Sequence, residues 1–183
     1  MHILFSLLLI MLSGCTAIFT DQGAPSSALH TDRRTTSAVL VDAALELDLN
    51  EKLSEINPAA RVYSKSFNRH IIVLGQAPSS DDVGKISALV ASTEGIKKIY
   101  NEVTIEKPIS KSQRLQDHWI TTKIKSSMLM MPQYKPWRVH VFTENNVVYL
   151  VGIVTTSEEE FAVDIAKKTA GVEKVVKIFD YKK

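Results

Sequence analysis

The sequence predicts an α+β protein in which one αββαβ unit occurs twice, each copy a three-stranded mixed sheet packed against two helices. Three observations predict it. The chain repeats itself at a nearly constant offset, the apolar residues within each copy switch between helical and strand periodicity, and turn-forming residues stand at the junctions. Ile71-Ile72-Val73-Leu74-Gly75 falls on Val148-Tyr149-Leu150-Val151-Gly152, and Arg61-Val62 on Arg138-Val139, both at an offset of 77. Gly95-Ile96-Lys97-Lys98-Ile99 falls on Gly171-Val172-Glu173-Lys174-Val175 at 76. Leu45, Leu49, Leu53 and Ile56 fall on Ile120, Ile124, Met128 and Met131 at 75. Chance supplies any one of these matches, but not all of them in order.

Each element follows from its residues. The four matched apolar positions of the first helix recur at i, i+4, i+8 and i+11, which is amphipathic helix spacing. Strands follow over 61–67 and 71–76, and again over 138–143 and 147–154, with Asn68-Arg69-His70 and Glu144-Asn145-Asn146 as their turns, asparagine tolerating left-handed backbone. Ser79-Ser80-Asp81-Asp82 and Thr156-Ser157-Glu158-Glu159 open the second helices, pairing a hydroxyl cap with a carboxylate three residues on. Phe161, Ala162, Ile165, Ala166 and Thr169 give the second of these a buried stripe, and Gly95 and Gly171 suit left-handed helix ends. Strands over 98–105 and 174–181 complete the units, joined at Lys107-Pro108-Ile109-Ser110. A three-stranded sheet with two helices is small for a stable core, so the halves are expected to pack together.

The 183 residues are 45% hydrophobic and 23% charged, with 22 basic and 20 acidic side chains for a net charge of +2. That balance excludes a disordered chain and a polytopic membrane protein, and no overall field argues for a nucleic-acid partner. The single cysteine, Cys15, rules out an intramolecular disulfide. Before it runs Ile3 to Leu12, almost unbroken apolar residues but only about half the ~20 that a membrane span requires. A short apolar core ending in small residues is the mark of a secretory signal. Leu12-Ser13-Gly14-Cys15 resembles the bacterial lipobox, which implies a signal peptide over 1–14 and a diacylated Cys15 as the first mature residue. Thr16 after the cysteine, rather than Asp, implies sorting to the outer membrane of a diderm bacterium. Residues 15–37, with Gly23 and Pro25-Ser26-Ser27, then read as the acylated cysteine and a flexible linker spanning roughly 25 Å r.m.s.. The two repeats occupy 38–107 and 108–183.

Two αββαβ units, each with a hydrophobic strand ending in glycine (VLGQ, LVGI), a helix, then G-[IV]-x-K-[IV], resemble BON domains. Behind a lipobox, and with Trp119-Ile120-Thr121-Thr122-Lys123 and Ile99-Tyr100-Asn101-Glu102, they resemble the dual BON-domain outer-membrane lipoproteins associated with division and envelope stress. The resemblance implies a periplasm-facing protein that binds phosphatidylglycerol through the first helix of its second domain and supports outer-membrane integrity, including at division sites.

Nothing in the chain reads as an active site. His2, His30, His70, His118 and His140 lie at no metal-ligand spacing, and no phosphate loop or nucleophile elbow occurs. Asp81-Asp82 and Glu158-Glu159-Glu160 sit where a helix dipole favours negative charge, which accounts for them without acid–base chemistry. The expectation is a protein without enzymatic activity, cofactor, metal, nucleic-acid partner or small-molecule substrate.

The repeat supplies its own control, because differences between matched helices report on function. On the helix read over 117–131, Ile120, Ile124, Met128 and Met131 face the sheet, while Trp119, Thr122, Lys123, Ser126, Leu129 and Met130 face outward. The matching outward residues in the first half are Ala44, Leu47, Asp48, Glu51, Ser54 and Glu55. Residues 107–140 hold seven basic side chains against one acidic, and residues 38–60 hold one basic against five acidic. An apolar, Trp-bearing face with a basic rim suits the interface of an anionic membrane. The candidate lipid-binding residues are therefore Trp119, Thr122, Lys123, Lys125, Ser126, Leu129 and Met130, with Tyr134 and Trp137 adding to the same belt, and Cys15 is the lipidation site. Three occupants of that face stay open at this point: an anionic phospholipid membrane, the seam between the two halves, and another envelope protein docked by a non-enzymatic adaptor. Pairing of the acidic first helix with the basic helix of the second half also stays open.

Overall fold

The computed structural model describes residues 32–131 and 134–182; Cys15, the signal over 1–14 and most of the linker lie outside the described residues. The elements run α1 (Thr36–Ile56), β1 (Arg61–Phe67), β2 (His70–Ala77), α2 (Ser80–Ser92) and β3 (Lys98–Ile105). The second unit repeats them as α3 (Lys111–Leu129), β4 (Val139–Glu144), β5 (Val147–Val154), α4 (Thr156–Lys168) and β6 (Lys174–Tyr181), with a short 3-10 turn at Pro136–Arg138 before β4. Each unit is αββαβ with a mixed sheet. β2 lies centrally, antiparallel to β1 and parallel to β3, and β5 does the same between β4 and β6.

Both faces of each central strand are buried, by different neighbours. Ile71, Val73 and Ala77 point toward Leu49 and Leu53 of α1 and Ile86 and Val90 of α2. Val148, Leu150 and Val154 meet Ile120, Ile124 and Met128 of α3 and Ala162 and Ala166 of α4. The alternate residues, Ile72 and Leu74 with Phe67, pack on Tyr149, Val151 and Ile178 of the other unit. The two sheets are thus stacked face to face, and the molecule is a four-layer α/β/β/α sandwich. This is how two undersized units share a core.

The seam has a polar end and an aromatic end. Buried Glu144 accepts from Arg61 Nη1 (2.5 Å), Gln76 Nε2 (2.7 Å) and the Tyr63 hydroxyl (2.9 Å), all from the first unit. Gln76 also accepts from the Ile109 amide (3.1 Å), tying the inter-unit connection to the same node. At the other end Phe67 lies against His140, ring centroids 5.1 Å apart. The 77-residue offset maps Phe67 onto Glu144 and Tyr63 onto His140, so the two contacts are exchanged by the repeat.

A second repeated device closes each hairpin. Asn68-Arg69 and Asn145-Asn146 are two-residue turns with positive φ at both positions, from 48° to 64°. Their amides point at a helix carboxylate. Asp42 of α1 accepts from the Asn68 and Arg69 amides (2.6 and 2.7 Å), and Asp117 of α3 accepts from the Asn145 and Asn146 amides (2.9 Å each). Both carboxylates are buried, at 3% and 4% exposure.

Several boundaries differ from those read in the sequence. α1 begins at Thr36, capped by the Thr35 hydroxyl, so the end of the expected linker belongs to the fold. α3 begins at Lys111, capped by Ser110, six residues before the helix read from periodicity. It ends at Leu129, and Met131 is 45% exposed rather than part of the stripe toward the sheet. Met131 precedes Pro132, which disfavours helical backbone at the residue before it. α4 is capped one residue earlier than expected, by Thr155 in a capping box with Glu158. Gly95 and Gly171 do take positive φ, three residues past the ends of α2 and α4, whose last positions are Ser92 and Lys168.

The glycines that close the repeated VLGQ and LVGI strands are sterically required. A Cβ at Gly75 or Gly152 would collide with the carbonyl oxygen of Arg61 or Arg138 on the neighbouring strand, and Gly75 also has φ of +116°. Gly75→Ala is expected to lower the unfolding free energy by about 2–4 kcal/mol in urea titrations. Gly84→Ala, on α2 with open space around it, should raise it by about 0.5–1 kcal/mol.

Glu158 predicts an acid sensitivity. Burial pushes its carboxyl up, but the Thr155 amide and the guanidiniums of Arg33 and Arg138 outweigh burial and bring it from 4.5 to about 2. A depressed carboxylate stabilises fully above its unfolded value, so this contribution is present above about pH 4.5 and lost as pH falls toward 2. Glu158→Gln should be less stable than wild type at pH 7, with the difference closing across that window in urea titrations.

Candidate functional site

α3 lies over the outer face of its own sheet, and the contacts of its two sides are opposite in kind. At about 100° per residue, Asp117, Ile120, Ile124 and Met128 form the buried side. Leu115, Trp119, Thr122, Ser126, Leu129 and Met130 lie on the other. Trp119 is 51% exposed, Leu129 65% and Met130 84%, so none of them fills the seam between the units. Leu115, one turn before Trp119, extends the apolar face and is 72% exposed.

The charges beside this face are all positive. Lys123 reaches back over the Trp119 ring, with its ammonium 4.2 Å from the centroid. Lys111, Arg114 and Lys125 follow the opposite edge of the stripe. Among the described residues, none of these four cations has an acidic side chain within 4.0 Å. Asp117, the one acidic residue in 107–140, is turned inward to hold its hairpin and does not neutralise the rim. The Thr122 hydroxyl donates to the His118 carbonyl (2.8 Å), and Ser126 is exposed.

Past the helix the chain turns back and leaves an apolar groove of about 340 Å³ between the end of α3 and the start of β4. Lys125, Met128, Leu129, Pro136, Trp137, Val139 and His140 line it. Trp137 is 46% exposed at its mouth. Tyr134 does not join the belt expected of it: its ring stacks on Phe161 of α4 at 3.9 Å and 9°.

The first unit has an apolar groove of about 540 Å³ along α1, lined by Val41, Ala44, Leu45 and Leu89, but no Trp-bearing basic face. α1 also exposes leucines, Leu40 and Leu47, so apolar exposure alone does not separate the two helices. Trp119 and the uncompensated basic rim do. On α1 the charges are neutralised or negative: Glu46 binds Lys65 (2.6 Å), Asp48 binds Lys52 (2.8 Å), and Glu51 and Glu55 are exposed. α1 and α3 pack on the outer faces of opposite sheets, so the acidic helix does not cover the basic one. Two features of the site have no periodic signal strong enough to be read in sequence: the Leu115 extension, before which α3 carries no apolar residue, and the groove, which depends on the fold-back after Leu129.

No described helix is long and apolar enough to cross a membrane, and no cluster of potential metal ligands occurs among the described residues.

Two αββαβ units, joined sheet to sheet, define the class, and the sequence matches the BON domain family over residues 42–107 and 116–183. It is 39% identical, over 94% of this chain and 91% of the relative, to the outer membrane lipoprotein DolP of Haemophilus influenzae. It is 33% identical, over 82% of this chain and 79% of the relative, to a protein named 21 kDa hemolysin from Actinobacillus pleuropneumoniae. Among solved structures it is similar to CdsD, a structural protein of the type III secretion system of Chlamydia trachomatis, at 14% identity and a TM-score of 0.32, covering 77% of this chain and 63% of that one. The chain belongs to the family of dual BON-domain outer-membrane lipoproteins.

The environment of Trp119 predicts its fluorescence. The chain has two tryptophans, so Trp137→Phe leaves Trp119 as the only one. Its emission in buffer should be that of a hydrated indole, and iodide should quench it more efficiently than caesium because the Lys123 ammonium draws anions to the ring. Blue emission indifferent to both ions would mean that the ring is covered.

Proposed function

We propose that this protein is anchored through Cys15 in the outer membrane, facing the periplasm, and docks the outer face of α3 on anionic phospholipid, phosphatidylglycerol by resemblance. The observation that carries the reading is the basic, Trp-bearing apolar face of α3, exposed on the outside of the sandwich and absent from its counterpart α1. Trp119, Leu129 and Met130 enter the interfacial region of the bilayer, with Leu115 as a further apolar contact. Lys123 and Lys125 hold headgroup phosphates, while Thr122 and Ser126 lie at headgroup level. The indole suits that boundary because its ring is amphipathic. Each lysine near an anionic surface contributes about 1 kcal/mol, so the contact is weak by itself. A lipid anchor makes docking intramolecular, at an effective concentration near ~mM, where weak contact suffices. By family resemblance the protein supports outer-membrane integrity, including at division sites, and no catalytic step is part of the reading.

Vesicle titration of the Trp137→Phe protein tests it. A blue shift with phosphatidylglycerol vesicles, absent with zwitterionic ones, is expected. Lys123→Glu with Lys125→Glu should weaken that binding by at least about tenfold. If the double charge reversal leaves vesicle binding unchanged but abolishes capture of an envelope protein, the face is an adaptor surface and the lipid reading fails.

A further inference from the structure

The three residues before the first helix cap make more buried charged contacts than a tether requires. Asp32 accepts from His140 Nε2–H (3.0 Å) on β4 and from the Arg34 guanidinium. Arg33 donates to the Ile153 carbonyl (2.7 Å) and to both oxygens of Glu158 (2.6 and 3.0 Å). Arg34 pairs with Asp42 of α1 (2.8 Å), its guanidinium 4.2 Å above the Phe67 ring. Asp32 and Arg33 are therefore fastened to the second unit and Arg34 to the first. The side chains of all three keep 16% exposure or less. Burying charge is costly unless each group is paired and hydrogen-bonded, and here each is.

The location matters as much as the bonds. His140, which holds Asp32, also lines the groove with Lys125, Leu129 and Trp137 at the C-terminal end of α3. The described chain thus begins one side chain away from the exposed face of that helix. Cys15 lies 17 positions upstream of Asp32, and a flexible chain of 17 residues would in general span roughly 22 Å r.m.s.. α3, with 19 residues, is about 28 Å long, a span of similar size. The effective concentration a tether provides is greatest where its r.m.s. length matches the distance to be bridged.

We propose that Asp32, Arg33 and Arg34 are positioning residues: they fix where the tether leaves the fold, beside the end of α3, so that the leaflet holding the anchor is the one the α3 face meets. The inference rests on the lipid reading above. It adds that the fold aims the face, and that the aim depends on residues outside both repeats. With the strap's Asp32 and Arg33 released, the tether pivots from Arg34, held by Asp42 of α1, the helix on the far side of the sandwich.

The test uses the full lipidated chain carrying Trp137→Phe, reconstituted in phosphatidylglycerol-containing vesicles, with quenching of Trp119 by brominated lipid as readout. Wild type should be quenched. Asp32→Ala with Arg33→Ala should lose at least about threefold in quenching as the effective concentration falls. The milder Arg33→Gln should lose part of it, while Arg33→Lys, which keeps the charge facing Glu158, should restore most. Urea titration shows whether each variant is folded, and Arg33→Gln, which cuts one tie, supplies the comparison if the double variant is not. Quenching of folded strap variants equal to wild type overturns this inference and leaves the lipid reading standing. An unquenched wild type overturns the lipid reading, and this inference with it.

Discussion

The stacking of one sheet on the other is the contact on which the rest of the molecule depends. Each unit covers only one face of its sheet with helices, and three strands with two helices bury too little to be secure alone. The uncovered faces carry Ile72, Leu74 and Phe67 on one side and Tyr149, Val151 and Ile178 on the other, all nearly inaccessible. Fully burying a side chain of this kind is worth about 1.5–3 kcal/mol, so separating the units would expose the equivalent of a domain core. With the sheets facing inward, all four helices are placed on the outside. The outward side of α3 has no layer beyond it, which is why its apolar residues remain uncovered.

Duplication lets shared architecture be told apart from acquired chemistry. Asp42 and Asp117 do the same work in both units, each gathering the two amides of a left-handed hairpin turn. That shared role makes the surrounding differences informative. On α1 the nearby carboxylates remain at the surface, in pairs or alone. On α3 the only carboxylate is consumed by the turn, and the surface is left with cations and a tryptophan. With that duty common to both helices, the opposite surface fields come from the remaining side chains.

Most of the fold was legible because it is local and repeated. Strand positions, the hairpin asparagines and the stripe of Ile120, Ile124 and Met128 follow from periodicity, and offsets of 77 for the first two strands and 76 for the third align one sheet with the other. The misread elements share a physical cause: they depend on something periodicity does not carry. Lys111 to Gln116 has one apolar residue because this part of α3 has little to bury, so the helix start was hidden although Ser110 is an ordinary cap. Nothing in the sequence marks Asp117 as buried, because its partners are turn amides almost thirty positions later. Asp32 and Arg33 read as linker because the groups that hold them, His140, Ile153 and Glu158, lie more than a hundred positions away. On α3 the outward residues could be named from sequence, whereas the groove beside Leu129 exists only once Pro136 and Trp137 fold back against Val139.

The exchange of Phe67 for Glu144 at matched positions bears on which units can pair. If two copies of the second unit were stacked, Arg138 and His140 would stand where Arg61 and Tyr63 do, but Ile153 in place of Gln76 would leave each buried Glu144 one donor short. If two copies of the first were stacked, Arg61 and Gln76 would be enclosed with no carboxylate to receive them. Like units are therefore mismatched, and each finds its complement in the other kind. Where copies are crowded together, that heterotypic preference discourages homotypic sheet-to-sheet association between neighbours, and the short covalent connection at Ile109 makes the correct partner the nearest one.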